Sequence, residues 1–268
     1  MNNSLNLFKA YLKFRKQSVN AHGLHSPFVY NLATQCLYDR SSYADYKILK
    51  EYNKALLKDH TLINMHDLGA GSRKLSNPKR TVKQIARISG SSYADMKLYY
   101  RLARYFKPEN ILELGTSLGK SALAFSLGAP QAVVKTLEGD PVVAKTASKY
   151  LQTFNRKNIQ VVHTDFDAYL QDLPKTKPVF DMVILDGNHR LKPTLQYFES
   201  LLPYLHENSI VIVDDIYWSK EMTAAWQALQ KHPQVFQTVD VFHFGLLFFR
   251  KGQFKQHFKI NLHTLNLF

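Results

Sequence analysis

Cysteine is nearly absent from this chain: of 268 residues, Cys36 alone carries a thiol. One thiol excludes an internal disulfide framework, a cysteine-rich zinc site and an iron–sulfur cluster with several cysteine ligands. It suits a reducing, cytoplasmic setting. Long apolar runs are missing too. A bilayer span needs about 20 consecutive apolar residues, and the longest candidates, such as 241–249, are broken by His243 and Gly245. The opening residues MNNSLNLFKAYLKFRKQ lack the basic lead and apolar core of a secretory signal. Low-complexity and collagen-like bias are absent, while 45% hydrophobic residues are ample for a core. The expectation is a soluble cytoplasmic protein.

Acidic residues are scarce at the front. Lys and Arg number 35 against 21 Asp and Glu, a net of +14. Residues 1–110 hold 19 of the former and 7 of the latter, a net of +12, which leaves 16 against 14, or +2, for residues 111–268. Such asymmetry fits a surface for an acidic partner: nucleic acid, an anionic membrane face or an acidic small molecule. The plain alternative is a solvated helical face.

The front part reads as helical. Leu5, Phe8 and Leu12 form an apolar stripe beside Lys9, Lys13 and Lys16, the pattern of a basic amphipathic helix. Ser26 is placed to cap a helix with Pro27 at its first position, and a further helix is expected over 43–57. The pentapeptide SSYAD occurs at 41–45 and again at 91–95. Its Ser-x-x-Asp spacing suits a capping box, so two similar helix starts are expected rather than a solenoid. His22 and His25 form H-x-x-H but have no nearby third ligand, which leaves little basis for a metal.

From Asn110 onward, short apolar runs (NILELG, AVVKTLEGD, NIQVVHTDF, VFDMVILDG, NSIVIVDDI) alternate with helical patterns. Near-continuous apolar strands separated by helices imply a parallel sheet covered on both faces. FQTVDVFHF and GLLFFR add a closing antiparallel pair, for seven strands in all.

The first of these strands runs into ELGTSLGKS, a glycine-containing turn that opens a helix. Such a turn lets backbone approach a ligand and aims helix N-terminal N–H groups at it. Its G-x-x-x-G spacing matches neither the dinucleotide fingerprint nor the ATP-binding loop. Glu138 ends the second strand 19 residues after Gly119, where a carboxylate can take both hydroxyls of a ribose. A second glycine stretch, DLGAGS at 67–72, leads into a basic segment and no acid-terminated strand. It reads as a structural turn, or as an anion nest backed by Arg73, Lys74, Lys79 and Arg80.

At ELGTSLGKSA, followed by TLEGD, HTDF, FDMVILDGNH and IVIVDDI, the sequence resembles class I S-adenosylmethionine-dependent methyltransferases, closest in pattern to the catechol and caffeoyl-CoA type O-methyltransferases. The resemblance covers about residues 95–250. It implies a Rossmann-like, doubly wound α/β fold with a seven-stranded, mostly parallel sheet whose last strand is antiparallel. Residues 1–94 would be a basic helical extension and 95–268 the methyltransferase domain. Glu113, Gly115, Ser117 and Gly119 would line the methionine end of S-adenosylmethionine, Glu138 would bind its ribose, and Asp165 and Phe166 would contact its adenine. Asp186, Asp214 and Asp215 match carboxylates that hold Mg²⁺ or a similar divalent ion in that family.

Strand-end carboxylates agree with this chemistry, because ligands of open α/β sheets lie beyond the carboxyl ends of the strands. Three converging carboxylates repel unless protonated or bridged by a cation, and an oxygen-only set suits Mg²⁺. Asp214 or Asp215 could instead simply cap the following helix. One departure stands out: the catechol-type family carries a lysine three residues after its fourth-strand aspartate, where this chain has His189. His189 can serve as a general base or metal ligand, or as a plain hydrogen-bonding group. The expected activity is O-methylation of a small hydroxylated acceptor, acidic ones included, with Asp186 and His189 as catalytic residues. Two other readings stay open. One is a nucleic-acid methyltransferase using Tyr99, Tyr100, Arg101, Arg104 and Tyr105. The other is a non-catalytic binding or membrane-surface module.

Overall fold

The structure, a computed structural model, describes residues 2–65, 79–88, 91–252 and 254–262, with the side chains of 2–6 excepted. The DLGAGS turn with Arg73 and Lys74, and the side chain of Leu5, lie outside the described residues. Helices α1 (Asn2–Gln17) and α2 (Pro27–Leu32) precede α3 (Tyr46–Lys58), the short strands β1 (Leu62–Asn64) and β2 (Lys79–Thr81), α4 (Val82–Ile88) and α5 (Tyr93–Phe106). Strict alternation follows: β3 (Asn110–Leu114), α6 (Lys120–Gly128), β4 (Val133–Glu138), α7 (Pro141–Thr153), β5 (Ile159–His163), α8 (Phe166–Thr176), β6 (Phe180–Leu185), α9 (Leu191–Leu201), β7 (Leu205–Asp214) and α10 (Lys220–Lys231). The strands β8 (Gln237–Asp240), β9 (Phe244–Phe248) and β10 (Gln256–Lys259) close the chain. Two compact units result, residues 39–176 and residues 1–38 with 177–268.

In the unit 39–176, β3, β4 and β5 run parallel in that order. Every residue of α6 is buried, as expected of a helix that is apolar nearly all round. The two SSYAD copies behave differently. The second forms the expected capping box: Asp95 N–H donates to Ser92 Oγ (3.2 Å) and Ser92 N–H to Asp95 Oδ2 (2.9 Å). In the first, Asp45 accepts instead from the Tyr100 hydroxyl (3.0 Å) and the Tyr43 hydroxyl donates to Asp39 (2.6 Å). The tertiary bond to Tyr100 has taken the Asp45 carboxylate, and α3 starts at Tyr46 with no side-chain cap.

In the other unit the strand order is β10-β8-β9-β7-β6. β6 and β7 are parallel, β10 is parallel to β8, and β9 runs antiparallel to both β7 and β8. The α/β, Rossmann-like class expected from sequence is the observed one. From Asn110 onward the strand count among the described residues is corrected from seven to eight, β3 to β5 in 39–176 and β6 to β10 here, and the antiparallel strand β9 is the penultimate one. The extra strand, β10, reads QHFK and carries no continuous apolar run. It forms because β8 offers an open edge, with Gln256 N–H donating to Phe236 O (2.9 Å) and Ile260 N–H to Asp240 O (2.9 Å). Ser26 caps α2 with Pro27 in its first turn, as expected. Gly245 in β9 is required by close approach, since a Cβ there would lie 2.3 Å from the Trp226 ring of α10. Among the described residues no helix is long and apolar enough to cross a membrane.

Candidate functional site

Three loops at the carboxyl ends of β3, β4 and β5 form the candidate cofactor site of residues 39–176. β3 ends in a turn that takes left-handed backbone three times: Gly115 (φ 111°), Ser117 (φ 46°) and Gly119 (φ 69°). A Cβ at Gly119 would also press on Leu151 Cδ1 (3.0 Å) and the Tyr52 hydroxyl (3.3 Å), so this position needs glycine for both reasons. The turn is tied to the next strand, because the N–H groups of Gly115 and Thr116 both donate to Leu137 O at 3.0 Å. Gly119 leads into α6 without a side-chain cap, leaving the first N–H groups of a buried helix to an external partner.

Glu138 brackets the site. Its Oε2 accepts from Ser117 N–H (2.9 Å) and its Oε1 from Asp140 N–H (3.0 Å). Burial raises its pKa, and those backbone donors partly offset the shift. Gly139 N–H is a third backbone donor to this carboxylate, which leaves it capacity for one further donor. Next to it, Thr164 N–H donates to Glu138 O (3.0 Å), which brings the end of β5 alongside. Asp165 caps α8: its Oδ1 accepts from the N–H groups of Asp167 (2.9 Å) and Ala168 (3.2 Å). Phe166 is half-buried.

Glu113 lies beneath the turn and is fully buried. The Thr136 hydroxyl donates to its Oε2 (2.5 Å), and Thr136 Oγ1 is itself 2.6 Å from Thr116 Oγ1, while Glu113 Oε1 has no hydrogen-bond partner among the described residues. Burial pushes its pKa up to about 7, with the Ser121 and Thr136 hydroxyls opposing and the Glu138 charge adding to the rise.

Sequence reasoning missed two groups here. Tyr52 of α3 is fully buried and donates its hydroxyl to Leu118 O (2.7 Å) inside the glycine turn. The only signal in sequence was a tyrosine on the apolar face of a helix, which does not disclose a partner 66 residues away. Lys120, which in sequence echoes an ATP-binding loop, turns inward. Its Nζ donates to Ala86 O (2.7 Å) and Ser91 O (3.2 Å), and burial lowers its pKa to about 8.

The second cluster belongs to the unit 1–38 with 177–268. Asp186 follows β6, Asp214 ends β7, and Asp215 adopts left-handed backbone (φ 54°) in the next turn. His189 Nε2 stands 3.7 Å from Asp186 Oδ1 and 3.8 Å from Asp215 Oδ2. These are ion-pair distances, too long for hydrogen bonds. Helix α10 is capped by Ser219, whose Oγ accepts from Met222 N–H (3.0 Å), so neither aspartate does the capping. Among the described residues no group of three or more His, Cys, Asp or Glu side chains is arranged to hold a metal ion. The expected Asp186, Asp214 and Asp215 metal set is therefore not assembled, and the pair of carboxylates facing His189 takes its place.

Tyr99, Tyr100, Arg101, Arg104 and Tyr105 do not form a free stacking surface. Tyr99 and Tyr100 are buried, Arg101 donates to the Tyr46 hydroxyl (3.3 Å) and Arg104 lies over the Tyr43 ring (4.9 Å). The structure thus occupies with protein partners the groups a nucleic-acid reading would use.

Residues 112–216 match a family model described as a methyltransferase domain. A search of curated proteins gives no match. Solved structures share the fold. An SAH-bound methyltransferase of Podospora anserina is 16% identical with a TM-score of 0.58, over 85% of this chain and 97% of that one. An O-methyltransferase of Bacillus cereus in complex with SAH is 16% identical with a TM-score of 0.55, over 87% and 98%. The O-methyltransferase TomG of Streptomyces achromogenes, in complex with SAM, is 17% identical with a TM-score of 0.52, over 83% and 95%.

Proposed function

We propose that this chain, whose residues 112–216 match a methyltransferase-domain model, is a class I S-adenosylmethionine-dependent methyltransferase that methylates an oxygen of a small hydroxylated acceptor. The observation that carries this reading is the Ser117–Glu138 hydrogen bond (2.9 Å), which locks the glycine turn against a strand-end carboxylate. When bound, S-adenosylmethionine supplies the electrophilic methyl group. The residues present fit that cofactor. The uncapped start of α6 suits a carboxylate, the remaining acceptor capacity of Glu138 suits a ribose hydroxyl, and the buried Oε1 of Glu113, which has no hydrogen-bond partner among the described residues, suits a donor at the methionine end. Asp165 and Phe166 are assigned to the adenine. That the named neighbours include O-methyltransferases supports oxygen as the acceptor atom.

His189 acts as general base toward the acceptor hydroxyl, and Asp186 holds the imidazole in place. No step is assigned to a metal, because the donor set does not fit one. Residues 1–94 hold most of the net positive charge, which favours an acidic acceptor, in a cytoplasmic enzyme. Calorimetric titration with S-adenosylhomocysteine tests the cofactor site. Wild type binds, and Glu138→Ala weakens binding by roughly tenfold or more, on the order of 1.5 to 3 kcal/mol for a charged hydrogen bond; absence of wild-type binding overturns the reading. Methyl transfer from labelled S-adenosylmethionine to hydroxylated acceptors is expected to survive EDTA, and its loss would restore the metal.

A further inference from the structure

Helix α1 buries the face opposite to the one its sequence advertises. Leu7, Ala10 and Tyr11 are half-buried and Phe14 is 1% exposed, an i, i+3, i+4, i+7 face turned to the protein. Tyr11 and Phe14 meet Phe242 at ring separations of 5.1 and 5.4 Å, and Phe14 meets Tyr217 at 6.4 Å. Phe242 is held there by left-handed backbone (φ 77°) and by its N–H on Asp240 Oδ1 (2.9 Å). The apolar stripe read from sequence points outward instead: Phe8 is 44% exposed and Leu12 42%. One turn apart, these two side chains form a small apolar ridge. Lys9, Lys13, Arg15 and Lys16 surround it, all exposed, and none of them makes an ion pair with a described residue. The helix contains no acidic residue.

We propose that the outer face of α1 is an interfacial helix that docks this protein on an anionic phospholipid bilayer, with Phe8 and Leu12 inserted at the acyl boundary and the four cations among the headgroups. Its charge pattern selects this occupant. Exposed aliphatic and aromatic groups ringed by cations on an acid-free helix match a surface that offers hydrocarbon beneath negative charge. A second copy docked through the same face would set eight cations together without a counter-charge. A nucleic acid would use the cations but gain no stacking from Leu12. Because α1 packs on Tyr217 and on Phe242 beyond the end of β8, docking would bring the Asp186, His189 and Asp215 end of this unit close to the bilayer surface.

The test uses the full chain and does not involve methyl transfer, so it stands apart from the catalytic reading. Wild type is expected to co-sediment with phosphatidylcholine vesicles that contain phosphatidylglycerol, to bind pure phosphatidylcholine far less, and to lose binding as salt rises. Lys9→Gln with Lys13→Gln lowers the partition coefficient about tenfold or more. Phe8→Ser with Leu12→Ser lowers it roughly tenfold or more without shifting the thermal midpoint, since both side chains are exposed. No sedimentation with anionic vesicles overturns the proposal, as does binding indifferent to the Phe8 and Leu12 substitutions. So does a dimer abolished by those substitutions without vesicle binding, or RNA binding that depends on the lysines alone.

Discussion

Replacing Glu113 by Gln tests the electrostatics of the cofactor site most directly. The side chain is fully buried, and its pKa stands at about 7 against an ordinary value of 4.5. The folded state therefore holds a proton that the unfolded chain releases. A raised carboxyl pKa contributes stability that is fully present below pH 4.5 and is lost as pH rises through about 7. The gap corresponds to about 3 kcal/mol of stability lost between these limits. For a chain of this size 1 kcal/mol moves the thermal midpoint by roughly 2 to 4 °C. The wild-type midpoint should thus fall relative to the Gln variant by roughly 6 to 12 °C between about pH 4.5 and 8. Gln keeps an acceptor for the Thr136 hydroxyl but cannot ionise, so the difference between the two curves isolates Glu113 from Glu138, Asp240 and the histidines. Differential scanning calorimetry of both proteins across this range measures it. Parallel curves would refute the argument, because Glu113 would then titrate alike folded and unfolded.

Other substitutions probe neighbouring groups. His189→Ala should lower kcat by about 10² to 10⁴-fold, the usual contribution of a general base, with affinity for S-adenosylhomocysteine unchanged; an unaltered kcat would remove the base. Tyr52→Phe strands the buried Leu118 carbonyl at a cost of about 1 to 3 kcal/mol. It should lower the thermal midpoint by a few degrees, roughly 2 to 4 °C per kcal/mol, and also weaken cofactor binding. A drop in the midpoint with no change in affinity would confine Tyr52 to stability. Tyr217→Phe deprives Asp240, which is fully buried, of a donor at 2.6 Å. The destabilisation is again about 1 to 3 kcal/mol, read by urea denaturation, and an unchanged midpoint would mean that the Phe242 N–H and the Trp226 side chain satisfy this carboxylate without it.

Much of the fold was legible because it is written in local pattern. Apolar runs of five or six residues ending in Glu113-Leu114-Gly115, Glu138, Asp186 and Asp214 disclose strands and their carboxyl ends, since a strand buried on both faces needs near-continuous apolar residues. Capping followed the same logic at Ser26, Asp95 and Pro27. Strand β10 was illegible, because a four-residue edge strand is defined by the partner it borders and not by its own hydrophobicity. The two SSYAD copies make the point sharply: five identical residues cap a helix in one place, while in the other the aspartate accepts from Tyr100, 55 positions away.

The same division runs through the site. Sequence by itself determined which residues stand at strand ends, that the turn after β3 must bend sharply at Gly119, and that the charge excess belongs to the first 110 residues. Tertiary structure alone decided that Tyr52 braces the turn and Lys120 faces inward. It also decided that His189 meets Asp186 and Asp215 in place of an assembled metal set, and that α1 turns Phe14 inward and Phe8 outward. Strand ends and turns follow from neighbours along the chain. Hydrogen-bond partners, ion pairs and the buried face of a helix depend on residues tens to hundreds of positions away, and only folding brings those together.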